Sequence, residues 1–210
     1  MPELRVKNLN IAAILADLSQ SFDFIVSAGD CLGVTGPSGI GKSVFLKALA
    51  DMIPHEGEVY LDDTACQTIP APQWRQQVTL LPAESQWWAE TVGEHFSHFD
   101  AVFFNSLGFE EEVMDWQIVH LSSGEKQRLA CIRVLMNQPQ ALLLDEPTAN
   151  LDKENRLLVE STIAVYQTLN QVPIIWISHD QEQLARVSQS VLTLSKHHYE
   201  IKNCIDKGLA

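Results

Sequence analysis

The chain has 210 residues, 46% of them hydrophobic, enough for one substantial core with a small attached subdomain. Acidic residues outnumber basic ones 27 to 14, and the formal charge of −13 opposes a nucleic-acid-wrapping role while leaving nucleotide binding through local donors open. The apolar runs at residues 141–144 and 174–177 fall far short of the roughly 20 residues of a membrane span, and Met-Pro-Glu-Leu-Arg at the start lacks a signal-peptide pattern, so a cytoplasmic protein is expected.

Along the chain, Leu4 and Val6, then Phe22, Phe24 and Val26, then Val59 and Leu61 alternate with other residues, the period of half-buried antiparallel strands. Residues 31–35 form a short apolar run that enters glycine-rich sequence, and residues 43–52 follow as a helical stretch that stops before Pro54. Residues 84–138 lack such strands, are interrupted by Gly93 and Gly108, and carry Trp87, Trp88, Phe96, Phe99, Phe103, Phe104 and Trp116. This segment reads as a helical insertion whose aromatics pack a small core rather than hold a cofactor. The continuous apolar runs at 141–144 and 174–177 fit strands covered on both faces, with Leu158, Val165 and Leu169 near helical spacing between them. Buried strands alternating with helices predict a mainly parallel α/β core. Cys31, Cys66, Cys131 and Cys204 form no CxxC pair and read as reduced thiols.

Between the first buried strand and its helix lies Gly36-Pro37-Ser38-Gly39-Ile40-Gly41-Lys42-Ser43, which fits GxxxxGK[ST]. Glycines let the backbone curl its N–H groups toward a polyphosphate, and the helix directs its positive end at the same charge. Lys42 then reaches the β- and γ-phosphates, and Ser43 offers a hydroxyl to Mg²⁺. The pattern arises by chance in roughly one chain in a hundred of this length, and its place after a strand lowers that further. The loop alone leaves kinases, GTPases and ATPases open.

Leu121-Ser122-Ser123-Gly124-Glu125-Lys126-Gln127-Arg128 resembles the ABC signature, LSGGQ-x-Q-R, at the start of a helix that runs to about Asn137. A plain N-cap explains a single serine there but not the whole string. Asp145-Glu146 after the run at 141–144 resembles Walker B, Pro147-Thr148-Ala149-Asn150-Leu151-Asp152 resembles the D-loop, and His179 in Ser178-His179-Asp180 resembles the switch histidine. The motifs occur in the order of ABC-transporter nucleotide-binding domains, and the resemblance covers nearly the whole chain.

That resemblance implies an α/β fold: a P-loop NTPase (RecA-like) core with an N-terminal antiparallel β subdomain and a small helical ABC subdomain. It implies one domain over 1–210, with about 1–83 and 139–210 as core plus β subdomain and about 84–138 as the helical part. ATP would be bound by Gly36, Pro37, Ser38, Gly39, Ile40, Gly41, Lys42, Ser43 and Val44 of one chain and by Ser122, Ser123, Gly124 and Glu125 of another. Ser43 and Asp145 would hold Mg²⁺, Glu146 would act as general base, and His179 would contact the γ-phosphate. One lysine-bearing loop against two phosphate-seeking helix ends calls for a symmetric homodimer. A separate transmembrane subunit would hold the chain at the cytoplasmic face of the inner membrane. The string from Trp74 to Val78 and the short helical part are similar to iron-export ATP-binding subunits.

Departures from the pattern bear on coupling and base recognition. Ala83 stands where the glutamine of the Q-loop is expected, leaving Glu84 as a metal candidate and Gln86 as a shifted alternative. No aromatic near residues 10–13 offers a ring to adenine, so loose base selectivity is expected. Ser123 replaces a signature glycine and Ala149 the usual D-loop serine. Trp87 and Trp88 read either as an anchor for a helix of the membrane subunit or as packing residues. His95 and His98 beside Glu94 read as a solvated helix face rather than a zinc site, which wants about three or four ligands. A soluble ABC ATPase acting on ribosomes or DNA is the rival function; a P-loop GTPase lacks its [NT]KxD string.

Overall fold

The computed structural model describes residues 1–15, 18 and 20–204. In chain order they form β1 (Leu4–Asn10), β2 (Phe22–Val26), β3 (Cys31–Thr35), α1 (Lys42–Leu49), β4 (Glu56–Leu61), β5 (Thr64–Ala65), α2 (Ala71–Gln77) and β6 (Val78–Leu81). There follow α3 (Ala101–Ser106), α4 (Ser123–Met136), β7 (Ala141–Asp145), α5 (Lys153–Asn170), β8 (Ile174–Ile177), α6 (Gln181–Val187), β9 (Ser190–Ser195) and β10 (His198–Asn203).

The alternating N-terminal segments pair antiparallel in the order β2-β1-β4-β5. Val6 stands opposite both Phe24 and Val59, and Leu4 opposite Val26 and Leu61, so the apolar residues share one buried face. The second sheet runs β10-β9-β3-β8-β7-β6, parallel from β9 to β6 with only β10 antiparallel. Its central runs are apolar throughout because both faces are covered. Ala141 and Leu143 face the core shared with α1 and the antiparallel sheet, whereas Leu142 and Leu144 face the core shared with α4 and α5. Helix α1 fills the layer between the sheets, with Phe45 against Phe22 at 4.7 Å between ring centroids.

Two sequence expectations shift. The first helix ends at Leu49 rather than residue 52, because Asp51 turns left-handed at φ 52° and closes the helix with its N–H on the Ala48 carbonyl. In α5 the residues noted at helical spacing divide: Leu158 packs partly against the second core, but the other two face outward. Val165 and Leu169 are 59% and 77% exposed, while Val159, Ile163 and Tyr166 are buried.

Residues 84–138 hold α3, α4 and three 3-10 turns, with Phe104 at the centre of an aromatic group that includes Phe96 and Phe99. Among the described residues no helix is long and apolar enough to cross a membrane.

Candidate functional site

Strand order assembles the site. β3, β8 and β7 lie side by side and parallel, so their carboxyl ends open on one edge of the sheet, where α/β proteins bind ligands. There Ser178 N–H donates to the Val34 carbonyl at 3.2 Å and Glu146 N–H to the Ile177 carbonyl at 3.2 Å. These bonds bring segments from residues 34, 146 and 178 to one place.

The loop after β3 curls through three positive-φ glycines, Gly36, Gly39 and Gly41. They differ in what a side chain would meet. A Cβ on Gly36 would lie 2.6 Å from the Leu194 carbonyl oxygen, whereas one on Gly39 meets no atom within 4 Å. Gly36 is thus required by the fold and Gly39 leaves open space, the cradle that an anion needs. Lys42 is buried, its Nζ donating to the carbonyls of Gly36 at 3.0 Å and Pro37 at 3.1 Å. Burial lowers the pKa of this ammonium, and the charges of Glu146 and Asp145 oppose that shift.

A cleft of about 330 Å³ is lined by Leu15, Ser38, Gly39, Gly41, Lys42, Ser43, Val44, Ala83, Asp145, Glu146 and His179. Gly36, Pro37 and Ile40 are not among its lining. Ile40 points into the core instead, and the carbonyls of Gly36 and Pro37 hold Lys42. Glu84 is also outside it and exposed. The chain leaving β6 presents Ala83 inward and the next residue outward, so the wall at this point is a methyl group and the metal candidates left in the cleft are Ser43 and Asp145.

Glu146 leaves β7 at φ 51°, a conformation uncommon for a non-glycine residue. His179 Nε2 approaches its Oε1 at 3.3 Å without the alignment of a hydrogen bond, so this buried oxygen has no donor among the described residues. Burial raises the Glu146 pKa, His179 pulls it down, and Asp145 pushes it up. A half-buried carboxylate with an unused acceptor beside an ammonium and an imidazole is suited to taking a proton.

Ser122 to Glu125 do not line this cleft. They begin α4 with a capping box, in which Ser122 Oγ accepts from the Glu125 N–H at 3.2 Å and Glu125 Oε2 accepts from the Ser122 N–H at 2.8 Å. The Ser123 and Gly124 amides have no acceptor among the described residues. A Cβ on Gly124 would lie 3.1 Å from Leu151 Cδ2, so the helix start rests against the loop after Glu146. Glu125, in the position of the signature glutamine, is spent on the cap.

The tryptophans divide. Trp87 packs against the second core and Trp88 is 71% exposed. Arg133 spans both rings at 4.6 and 4.9 Å. His95 is 7% exposed rather than solvated, because its Nε2 accepts from the N–H groups of Trp88 and Ala89 while Nδ1 donates to the Thr91 carbonyl. Its role is to pin the tryptophan loop, which no spacing rule in the sequence signals.

Residues 19–149 match the family model described as ABC transporter. The probable iron export ATP-binding protein FetA of Escherichia coli (strain K12) is 30% identical, over 96% of this chain and 95% of that protein. The spermidine/putrescine import ATP-binding protein PotA of Legionella pneumophila (strain Paris) is 28% identical over 83% of this chain, which spans about half of that protein, 52%. The structure of a bacterial Atm1-family ABC exporter with ATP bound superposes with a TM-score of 0.84 at 23% identity, covering 98% of this chain and 39% of the exporter chain, a likeness of fold.

Proposed function

The chain belongs to the ABC transporter family as an ATP-binding subunit, and from that premise we propose that it hydrolyses Mg-ATP as a head-to-tail homodimer beneath a separate membrane subunit. The observation that carries the reading is the convergence of Lys42, Ser43, Asp145, Glu146 and His179 on one cleft, with Glu146 and His179 3.3 Å apart.

The residues present fit the expected ligands. The open space at Gly39 and the N-terminus of α1 accommodate a polyphosphate, and the Lys42 ammonium, held by weakly basic carbonyls, is available to exchange them for phosphate oxygens. Ser43 and Asp145 would hold Mg²⁺, which when bound supplies charge neutralisation across the phosphates. Glu146 accepts the proton of the attacking water, its unused Oε1 serving as the base. His179 orients that carboxylate and contributes a donor toward the terminal phosphate. The assignment of His179 and of the signature residues rests on the matched motifs, and Glu84 is left out because it stands off the cleft.

The N-terminus of α4 supports the dimer. Its Ser123 and Gly124 amides lie outside the chain's own cleft, and a second copy, related by a two-fold axis, offers the anion that they lack. The exposed Trp88, fixed by His95 and Arg133, suits an anchor for the membrane subunit, which would keep the chain at the inner membrane's cytoplasmic face. The end-to-end similarity to the iron export protein favours metal-ion export as the cargo class. The relatives compared are transporter subunits, so the ribosome or DNA alternative is not carried further.

The test is Glu146→Gln with Mg-ATP on a sizing column. A dimer stable with ATP and no turnover is expected; turnover at the native rate would sink the general-base assignment, and a monomer at saturating ATP would sink the dimer. Co-expression with membrane proteins encoded nearby tests the transport role through recovery of a stable complex.

A further inference from the structure

Outside the cleft, a buried polar network joins α6 to α5 and to the loop that follows Glu146. The Gln183 side chain on α6 is 1% exposed, and its Nε2 donates both to Thr148 Oγ1 at 2.8 Å and to Glu160 Oε1 at 2.8 Å. Thr148 belongs to the loop that follows Glu146, and Glu160 belongs to α5. Arg186, one turn further along α6, closes on the same Glu160 carboxylate with Nε at 3.2 Å and Nη2 at 3.0 Å. At the start of α6, Asp180 caps the helix by accepting from the Gln183 N–H at 3.0 Å, and its other oxygen accepts from Arg156 of α5 at 2.8 Å. Asp180 directly follows His179.

Glu146 and His179 leave two neighbouring strands on short segments, and each segment is anchored at its far side. The Glu146 segment is anchored through Thr148, and the His179 segment through Asp180 and α6. Gln183 touches both anchors, through its side chain to Thr148 and its backbone to Asp180. We propose that Gln183 is a positioning residue for ATP hydrolysis, which holds the Thr148 loop and the His179 segment in one frame and so sets the Glu146–His179 geometry. The inference rests on the hydrolytic reading above.

The chemistry explains the residue type. One nitrogen must donate to a hydroxyl and to a carboxylate at once, which an amide does with its two N–H groups. A carboxylate in its place would face Glu160 without a proton to share, and methionine of the same length would donate nothing. Removing the bridge leaves the Thr148 and Glu160 oxygens buried without this donor, so the loop is free to settle elsewhere. Misplacement on the order of 1 Å remote from the chemistry costs about a hundredfold in rate.

The experiment compares wild type, Gln183→Met, Thr148→Val, Thr148→Ser and the double variant Gln183→Met/Thr148→Val, all well below their melting temperatures. The expected result is kcat reduced between about tenfold and a hundredfold in Gln183→Met, with Mg-ATP affinity within about twofold of wild type. Thr148→Val should share the loss, Thr148→Ser should restore most of the rate, and the double variant should be no slower than the worse single one. A purely structural role lowers melting temperature without splitting kcat from affinity. Native kcat in both Gln183→Met and Thr148→Val would overturn the inference while leaving Glu146 as base. If Gln183→Met does not fold, the contrast between Thr148→Val and Thr148→Ser decides alone, equal rates overturning it. A wild-type protein that does not turn over ATP would instead overturn the hydrolytic reading, and this inference with it.

Discussion

Substituting alanine at Gly39 separates the phosphate cradle from the fold that supports it. The new methyl meets no atom within 4 Å, so its folding cost is only that of holding a non-glycine residue at φ +78°. That strain is about 1–2 kcal/mol. For a chain of this size it lowers the melting temperature by about 2–8 °C. On the proposed ATP-binding reading, the same methyl enters open space in the cleft that the polyphosphate would fill. Losing one charge-assisted hydrogen bond of about 1.5–3 kcal/mol weakens Mg-ATP binding by about tenfold to a hundredfold. Alanine at Gly36 is the control, because its methyl would sit 2.6 Å from the Leu194 backbone carbonyl. There overpacking of about 1–3 kcal/mol adds to the backbone strain, and stability is lost first. Titration calorimetry with Mg-ATP, run beside thermal melts of the apo proteins, checks both. Were Gly39→Ala to melt as expected yet bind Mg-ATP within about threefold of wild type, the cradle assignment would fail.

In the apo protein Glu146→Gln should melt above wild type at pH 8. Burial raises the folded-state pKa of Glu146, so its charge costs the native state above the unfolded carboxylate pKa; the gap should close as pH falls through the raised value, and a lower melting temperature at pH 8 would contradict the desolvation. The same shift predicts that kcat/KM of the wild type, which reports the free protein, falls on acidification at a higher pH than an ordinary carboxylate would give, as a pH–rate profile can show. Trp88→Ala should leave stability within about 1 kcal/mol of wild type in denaturant titrations and reduce co-purification with the membrane subunit, whereas Trp87→Ala should destabilise the helical part by about 1–3 kcal/mol. With Leu15 the residue from the N-terminal turn that lines the cleft, and no Phe, Tyr or Trp among the described residues of that lining, kcat/KM for GTP should lie within about tenfold of that for ATP; discrimination of about a thousandfold would point to a base contact elsewhere.

The glycine loop between β3 and α1 was legible because its shape is local: glycines permit a curl and the next residues start a helix, both within a few positions of Lys42. The central strands were legible because residues 141–144 must satisfy apolar surroundings on both faces. Periodicity also found α5 but left its buried side open, since the exposed 165 and 169 and the buried 159, 163 and 166 are both compatible with a helical period. Only the partner surfaces choose between two such stripes. His95 shows the same limit, its burial being set by backbone donors of a loop whose path no neighbouring residue announces.

By itself, then, the sequence determined the set of chemical parts and the order in which they occur, because short motifs encode local backbone shape and local charge. Tertiary structure decided which parts meet. The order β3-β8-β7 brings Glu146 and His179 together, the turn after β6 faces Ala83 and not Glu84 to the cleft, and α6 lays Gln183 across Thr148 and Glu160. Such contacts between residues tens of positions apart follow from how buried faces pair and how buried polar groups find partners, and no local spacing carries that information.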